Sequence, residues 1–224
     1  MTELQGIFLD FYGTLASGDR QAVESVCQSV IDDHGLAIRA PELASTWGDH
    51  YFRAIERIDG GPFRLLVTIE RDTLIDTLEP LTGRIDVTRY IDQFNAYLTR
   101  PSLFAETQEV LRSLRLPVCI VSNIDDHELR AALDHHQLPV AHVVTSELAR
   151  CYKPEPRIFQ HALGLTGWSA DRVLHVGDSL HSDVAGAHRA GIQAAWVNRG
   201  DRIKDIGTEK PDFAWHDLRP LLMM

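Results

Sequence analysis

Side chains that could do chemistry together occur at four points of this sequence. Asp10 ends the apolar run "GIFLD", Ser122 and Asn123 end "PVCIVSN", Lys153 lies in "CYKPEP", and Asp178 ends the apolar part of "VLHVGDS". A carboxylate can act as a nucleophile, and hydroxyl, amide and ammonium groups can hold an anion. The set therefore indicates nucleophilic chemistry on an anionic small molecule, provided that the fold brings these residues together.

Each of these residues also has an ordinary structural explanation. A strand-end aspartate such as Asp10 is more often a cap than a nucleophile, the pair Ser122 and Asn123 could cap the next helix, and a lysine is by default a surface charge. Their joint order and strand-end placement favour the chemical interpretation.

The elements that must position these residues alternate along the chain. Apolar runs rich in valine and isoleucine predict strands that are buried on both faces, at 6–10, 117–123, 141–146, 173–179 and 194–198. Apolar residues at helical spacing predict helices between them, at 125–138, 155–167 and 181–191. This alternation predicts an α/β fold, a doubly wound Rossmann-like parallel sheet with its ligand site beyond the carboxyl ends of the strands.

The segment at 16–97 has a different pattern. Stretches such as "QAVESVCQSVIDDHG" and "TRYIDQFNAYL" carry apolar residues on one helical stripe, and no strand pattern interrupts them. We expect residues 16–97 to form a helical cap domain, inserted into a core domain of residues 1–15 and 98–224. A lid of this kind can exclude water and select substrates.

Composition narrows the class of partner. The formal charge of −10 and the absence of a lysine and arginine block argue against nucleic acid and membrane surfaces, so a small-molecule substrate is expected. The three cysteines have no CxxC spacing, which predicts buried thiols in a reducing compartment. With no leader pattern or spanning segment, we expect a cytoplasmic protein. The oligomeric state, monomer or homodimer, stays open, although the tail "LRPLLMM" is expected to pack on its own domain.

Four ordered motifs, "DFYGT", "VSN", "YKPEP" and "GDSLHSD", resemble those of the haloacid dehalogenase-like hydrolase superfamily. The resemblance implies that Asp10 is a nucleophile forming a covalent aspartyl intermediate, that Thr14 and Ser122 hydrogen-bond the transferring group, and that Lys153 neutralises its charge. Tyr12 and Asn123 would join Ser122 and Lys153 in contacting the substrate.

A magnesium ion is the cofactor that the resemblance implies. Its ligands would be the carboxylate of Asp10, the main-chain carbonyl of Tyr12, and the carboxylates of Asp178 and Asp183. Hard oxygen ligands of this kind suit Mg²⁺. Without a cation these carboxylates would repel one another.

The residue two positions after the nucleophile, Tyr12 in this chain, distinguishes two branches of the family. Phosphatases that resemble this chain carry a second aspartate there, which protonates the leaving alkoxide and activates water, whereas a phenol is a poor base at neutral pH. Dehalogenases resemble the chain at "DFYGT", because halide leaves without a proton. That branch has no magnesium site, however, and it has a serine-asparagine pattern in place of "GDSLHSD".

Two further dehalogenase features are missing or uncertain in this sequence. Phe159 stands where that branch has a tyrosine, and the halide-binding arginine of its cap has three candidates, of which Arg39 is closest in sequence and Arg53 and Arg57 are the others. In "TWGDHYFRAIER", the aromatic residues are expected chiefly to pack within the cap, with some lining the pocket. Among the histidines, only His181 lies within a motif after a strand.

The acids of the fourth motif decide our expectation from sequence. We favour a Mg²⁺-dependent phosphohydrolase acting on a small phosphorylated metabolite and weak on alkyl phosphates. The first alternative is metal-free hydrolysis of a carbon–halogen bond in a 2-haloacid. A protein that keeps the fold with little turnover is the second, because fold does not fix function.

Overall fold

The computed structural model describes residues 3–58, 62–200 and 207–224. Six parallel strands form one sheet, in the order β5-β4-β1-β6-β7-β8. Two further short strands pair antiparallel beside it. In chain order, the strands are β1 (Gly6–Leu9), β2 (Ala16–Ser17), β3 (Ser102–Leu103), β4 (Val118–Ser122), β5 (His142–Thr145), β6 (Val173–Gly177), β7 (Gln193–Val197) and β8 (Phe213–Trp215).

Helices connect the strands and cover the sheet. They are α1 (Asp19–His34), α2 (Ala40–Ile58), α3 (Leu66–Thr82), α4 (Thr88–Thr99), α5 (Thr107–Ser113), α6 (Asp126–His136), α7 (Ser146–Ala149), α8 (Pro156–Thr166) and α9 (Gly186–Arg189). This arrangement confirms the predicted α/β class with a parallel sheet.

The position of β1 at the centre of the sheet creates the site. From β1 the chain runs outward on one side through β4 and β5, and it then returns to β6 and runs outward through β7 and β8. The strand order therefore reverses beside β1, and ligands bind at such a reversal, beyond the carboxyl ends of the strands. Asp10 follows β1 directly at this place.

The strands are apolar throughout because both faces are covered. Ile7 and Leu9 pack into one hydrophobic cluster and Phe8 into the other, and all three side chains are fully buried. Alternate residues of a strand point to opposite faces, so a strand buried on both sides needs an unbroken apolar run. This confirms the sequence interpretation of "GIFLD".

Helices α1 to α4 lie between β2 and β3 in the sequence. Because β2 and β3 pair with each other, the chain leaves the sheet region and returns to it at adjacent points. Helix α1 ends at Gly35, whose φ of 60° suits glycine as a helix stop. Helix α4 buries the stripe predicted for it, namely Tyr90, Ile91, Phe94 and Leu98.

Some local features differ from the sequence expectation. The edge strand β8 and the β2–β3 pair were not predicted, since two or three residues are too few for a periodic signal. The helix expected at 181–191 begins instead as π-helical turns at Leu180–Ala185 and ends as α9. At the C-terminus, Leu218 and Leu221 are buried on the chain's own core, whereas Met223 is 89% exposed.

Two further expectations concerned the state of the cysteines and membrane-spanning segments. Cys27, Cys119 and Cys151 are unpaired and buried, as predicted. Within the described ranges, every helix is too short or too polar to cross a bilayer.

The carboxylate of Asp125 joins two distant helices. It precedes α6 and accepts hydrogen bonds from the N–H groups of Leu66 (2.8 Å) and Val67 (3.0 Å), in the first turn of α3. Such N–H groups have no partner within their own helix. Nearby, the Tyr152 hydroxyl donates to the Arg64 carbonyl (2.8 Å). These bonds tie the start of α3 to the segments that carry Asp125 and Tyr152 beside the sheet.

Replacing Asp125 should therefore destabilise the protein. We expect Asp125→Ala to lower the free energy of unfolding by about 1–3 kcal/mol, because one buried and one partly buried N–H group lose their acceptor. Urea denaturation measures this difference. Asp134→Ala, an exposed site on α6, serves as the control. Equal midpoints for the two variants would contradict the assigned role of Asp125.

Candidate active site

A tight loop holds the nucleophile candidate. The N–H of Asp10 donates to the carbonyl of Val176 in β6 (2.9 Å), and the carbonyl of Phe11 accepts from Leu15 and Ala16. Gly13 has a φ of 85° in this loop, and a Cβ there would lie 2.5 Å from Oδ2 of Asp178. Glycine is therefore required both by the backbone conformation and by the close approach of the fourth motif.

The Asp10 carboxylate is buried and hydrogen-bonded unevenly. Its Oδ1 accepts from Ser122 Oγ (2.9 Å) and from Lys153 Nζ (2.6 Å). Its Oδ2 accepts from Thr14 Oγ1 at the longer distance of 3.3 Å. Three of the residues predicted for the site thus contact the fourth directly, and Oδ2 is the less strongly hydrogen-bonded oxygen of the carboxylate.

Lys153 lies between two carboxylates. Its ammonium donates to Asp10 Oδ1 and to Asp183 Oδ1, each at 2.6 Å, and to the carbonyl of Val121 at 2.9 Å. Burial acts to lower the pKa of Lys153, but Asp10 and Asp183 outweigh it, and the pKa is raised. The lysine is therefore a fixed positive charge, 2% exposed.

Asn123 fixes the backbone of that lysine. Its Nδ2 donates to the Lys153 carbonyl (3.0 Å), and its Oδ1 accepts from the Lys153 N–H (2.7 Å). The side chain thus clamps the loop that follows α7, which lies between β5 and Lys153. Asn123 also lines the cavity, but its side-chain oxygen and nitrogen are both engaged in this clamp.

Asp183 has a partner that the sequence analysis did not single out. His175 Nε2 lies 2.9 Å from Asp183 Oδ1, and the N–H of Ser179 donates to Oδ2 (3.0 Å). Burial alone would raise the pKa of Asp183, but Lys153 and His175 hold it below its usual range. The sequence signal for this partner was a histidine inside the otherwise apolar strand β6. His181, chosen instead, lines the cavity.

Three carboxylates of the site could receive a metal ion. Oxygen atoms of Asp10, Asp178 and Asp183 lie within 4.8 Å of one another, and all three residues are buried. This donor set fits a hard divalent cation. The repulsion expected from sequence is already reduced, however, because the ammonium of Lys153 contacts two of the three carboxylates.

The hydroxyl of Tyr12 is hydrogen-bonded to a group other than Asp10. It donates to the carbonyl of Leu98 at the end of α4 (2.6 Å). Burial, with a smaller contribution from Tyr97, raises the pKa of Tyr12 above its ordinary value. Tyr12 therefore offers no base at neutral pH, although its side chain lines the cavity.

A cavity of about 1160 Å³ opens onto these residues. Its wall includes the aromatic residues of α2, namely Trp47, Tyr51 and Phe52. Trp47 also packs in the hydrophobic core, so the aromatic residues of α2 contribute both to core packing and to the cavity wall.

The candidate arginines differ in position. Arg53 lines the cavity, whereas Arg39 is paired with Glu42 on the surface, with its side chain 78% exposed. Arg39, which directly precedes α2, thus lies away from the cavity wall, and Arg53 is the candidate that lies on it. The side chain of Arg57 falls outside the described residues. Phe159 packs against His175, with ring centroids 4.9 Å apart, and is fully buried.

Arg199 supports the nucleophile loop from β7. It donates to the Thr14 carbonyl (2.7 Å), pairs with Glu106 (2.7 Å), and lies over the ring of Phe104 at 3.6 Å. No motif spacing marks this residue, so sequence reasoning missed it.

Comparison with known proteins places the chain in a family. The haloacid dehalogenase-like hydrolase family model matches residues 4–191. (S)-2-haloacid dehalogenase H-109 of Pseudomonas putida is 28% identical over 214 residues, which cover 92% of this chain and 90% of that protein. Phosphoserine phosphatase of Thermus thermophilus is 30% identical over 198 residues, covering 84% and 76%.

Solved structures agree on the fold. L-2-haloacid dehalogenase from Xanthobacter autotrophicus, with chloropropionic acid covalently bound, superposes with a TM-score of 0.80 at 22% identity and covers 98% of this chain and 97% of that one. The chain belongs to the haloacid dehalogenase-like hydrolases, and it is a hydrolase.

Removing the central ammonium should expose the repulsion that it offsets. We expect Lys153→Met to lose about 3–5 kcal/mol of stability at pH 8, because two buried carboxylates lose their shared partner. The deficit should shrink at pH 5, since a carboxyl that faces an unscreened like charge takes up a proton more readily.

Urea denaturation at the two pH values measures this effect. Lys210→Met removes an exposed lysine and is the control. A deficit for Lys153→Met that grew on acidification would contradict the ion-pair interpretation.

Proposed function

We propose that this hydrolase cleaves the carbon–halogen bond of a small 2-haloacid by nucleophilic attack of Asp10. The observation that carries the proposal is the engagement of Tyr12: its hydroxyl is bonded to Leu98 and its pKa is raised. The site therefore lacks an acid at residue 12 for an alkoxide leaving group, whereas halide leaves as a stable anion. The similarity to (S)-2-haloacid dehalogenases, which extends over most of the chain, supports the same chemistry.

The first step forms an ester. Oδ2 of Asp10, the oxygen with the weaker hydrogen bond, attacks carbon 2 of the substrate from the side opposite the halogen. The new C–O bond forms as the C–X bond breaks, and the bonding pair leaves with the halide. Lys153 and Ser122 hold Oδ1 during the attack, which keeps the carboxylate in position.

The second step releases the product. A water molecule attacks the carbonyl carbon of the Asp10 ester, and a base takes one proton from this water. The bond between that carbon and the substrate oxygen then breaks, and the base returns the proton to the departing alkoxide, which leaves as a 2-hydroxy acid. Asp10 keeps the water oxygen in its carboxyl group, which loses its proton to solvent. We assign the base to Asp178, whose carboxylate lies within 4.8 Å of Asp10. Asp183 is a poor base, because Lys153 and His175 hold its pKa below the usual range.

Helices α1 to α4 would act as the cap domain, residues 16–97, over the core domain of residues 1–15 and 98–224. Their apolar side chains line the cavity and would keep water from the ester until the halide has left. Arg53, on the cavity wall, is suited to hold the substrate carboxylate.

A paired assay tests this function. We expect chloride release from (S)-2-chloropropionate in excess EDTA, and its loss in Asp10→Asn. In a single turnover in ¹⁸O-water, the label should enter Asp10 and not the 2-hydroxy acid, because water attacks the carboxyl carbon. Label found in the product, or chloride release by Asp10→Asn, would overturn the nucleophile assignment.

Asp178→Asn should separate the two steps. We expect halide release in a first turnover to survive, and turnover to fall by about 10²–10⁴-fold as the ester accumulates. Mass spectrometry of the quenched protein detects the added acyl group. Full turnover without accumulated ester would contradict the role given to Asp178.

A Mg²⁺-dependent phosphohydrolase is the second candidate, favoured by the three clustered carboxylates. Asp10, the Tyr12 carbonyl, Asp178 and Asp183 would hold the ion, which would offset the charge of a phosphoryl group. Chloride release in EDTA, measured alongside aryl phosphate hydrolysis with Mg²⁺, decides between the two candidates. Aryl phosphate hydrolysis that needs Mg²⁺, with no chloride release, supports this candidate, and no turnover of either substrate indicates a protein that keeps only the fold.

A further inference from the structure

One buried acidic residue, Glu70, lies in the helical wall of the cavity. Helix α3 lines the cavity with Leu66 and Glu70, which are four positions apart and therefore share one helix face. The acidic lining residues of α1 and α2, Asp19 and Asp49, are exposed, whereas Glu70 is buried. Apolar lining residues of the neighbouring helices include Trp47, Tyr51, Phe94 and Leu98.

The carboxyl group of Glu70 is buried and incompletely satisfied. The residue is 4% exposed, and its Oε2 has no hydrogen-bond partner among the described residues. Buried polar atoms are nearly always hydrogen-bonded, so an exception on a cavity wall suggests a partner supplied by a ligand.

The surroundings of Glu70 favour its neutral form. Burial, followed by the charges of Asp125, Glu128 and Asp19, raises the pKa of Glu70 to about 8. Tyr12, Tyr51 and Tyr152 also lie within electrostatic range of it. At neutral pH the group is mostly a carboxylic acid, which carries one O–H donor.

We propose that Glu70 selects substrates by donating a hydrogen bond to a neutral acceptor oxygen, such as a carbonyl oxygen, on the part of the substrate that does not react. This inference rests on the proposed function and extends it: the substrate class becomes 2-halo acids whose side chain bears a carbonyl group. The acidic neighbours of Glu70 disfavour an anion at this subsite, and a protonated carboxyl group disfavours an ammonium.

Unreactive ligands test the subsite apart from catalysis. The probes are 4-oxopentanoate, 5-oxohexanoate and 6-oxoheptanoate, each paired with the analogue in which a methyl group replaces the oxo oxygen. Calorimetry on the full chain should give a preference of about 3- to 10-fold for at least one oxo acid, the size of one net hydrogen bond.

Variants identify the group responsible. Glu70→Gln keeps a donor of the same size and should keep the preference, whereas Glu70→Met should abolish it. Glu79→Gln, an exposed site on the same helix, is the matched control and should behave as wild type. The inference is overturned if wild type shows no preference, if no probe binds, or if Glu70→Met retains the preference.

The pH dependence distinguishes a donor from an anion. In wild type the preference should hold below about pH 8 and decline above it, because the O–H is lost on ionisation, and in Glu70→Gln it should not change with pH. Glu70→Gln should also raise the melting temperature more at pH 9 than at pH 5. The carboxyl group ionises in the unfolded chain near its ordinary pKa but in the folded protein only near pH 8, so its cost to stability grows as the pH rises between these values. A preference that grew above pH 8 would refute the donor.

The two proposals fail separately. Asp10→Asn should retain the oxo-acid preference, whatever its activity. If the preference is intact but no chloride is released from 2-chloropropionate, the dehalogenase proposal is refuted and the Glu70 subsite is supported. If chloride is released but the preference is absent, the Glu70 subsite is refuted and the dehalogenase proposal is supported.

Discussion

The ammonium of Lys153 is the charge on which the site depends. It lies between Asp10 and Asp183, and removing it would leave two buried carboxylates facing each other. Its place is fixed by the Val121 carbonyl and by the Asn123 clamp on its backbone. The central position of β1 makes this possible, because β4 and β6 flank it and end at the same edge. The position of Asp10 thus follows from the strand order.

Tyr12 gives the nucleophile loop a structural role in place of an acid–base role. Its hydroxyl reaches the end of α4, so residue 12 ties the loop after β1 to the helices above it. At the other end of those helices, Asp125 holds the start of α3. Both bonds hold helices whose residues line the cavity. The Tyr12 hydroxyl is thereby committed to the Leu98 carbonyl and is not directed at Asp10.

The sequence predicted what repeats along the chain and missed what depends on contacts between distant segments. Unbroken apolar runs identified five of the six strands of the sheet, and strand-end placement brought Asp10, Ser122 and Asp178 together. Arg199 and β8 had no periodic signal, since only tertiary contacts give them a role. Glu70 did have one: it falls on the buried stripe of α3, between Ile69 and Thr73. A charged residue on a buried stripe is costly, and is therefore worth examining as a functional residue.

Charge balance separates the candidate functions more sharply than shape does. Asp10, Asp178 and Asp183 face one ammonium, so ionised carboxylates would leave the site with two net negative charges. A divalent cation would cancel that excess and allow a phosphate to approach. Without it, a singly charged 2-haloacid needs a cation beyond the cluster, and Arg53 lies on the cavity wall to supply one. A 2-haloacid also places its reacting carbon, which is neutral, and not its carboxylate, against Asp10. In the proposed reaction, the weaker repulsion at that carbon would let a lysine serve where a phosphoryl group would require a metal ion.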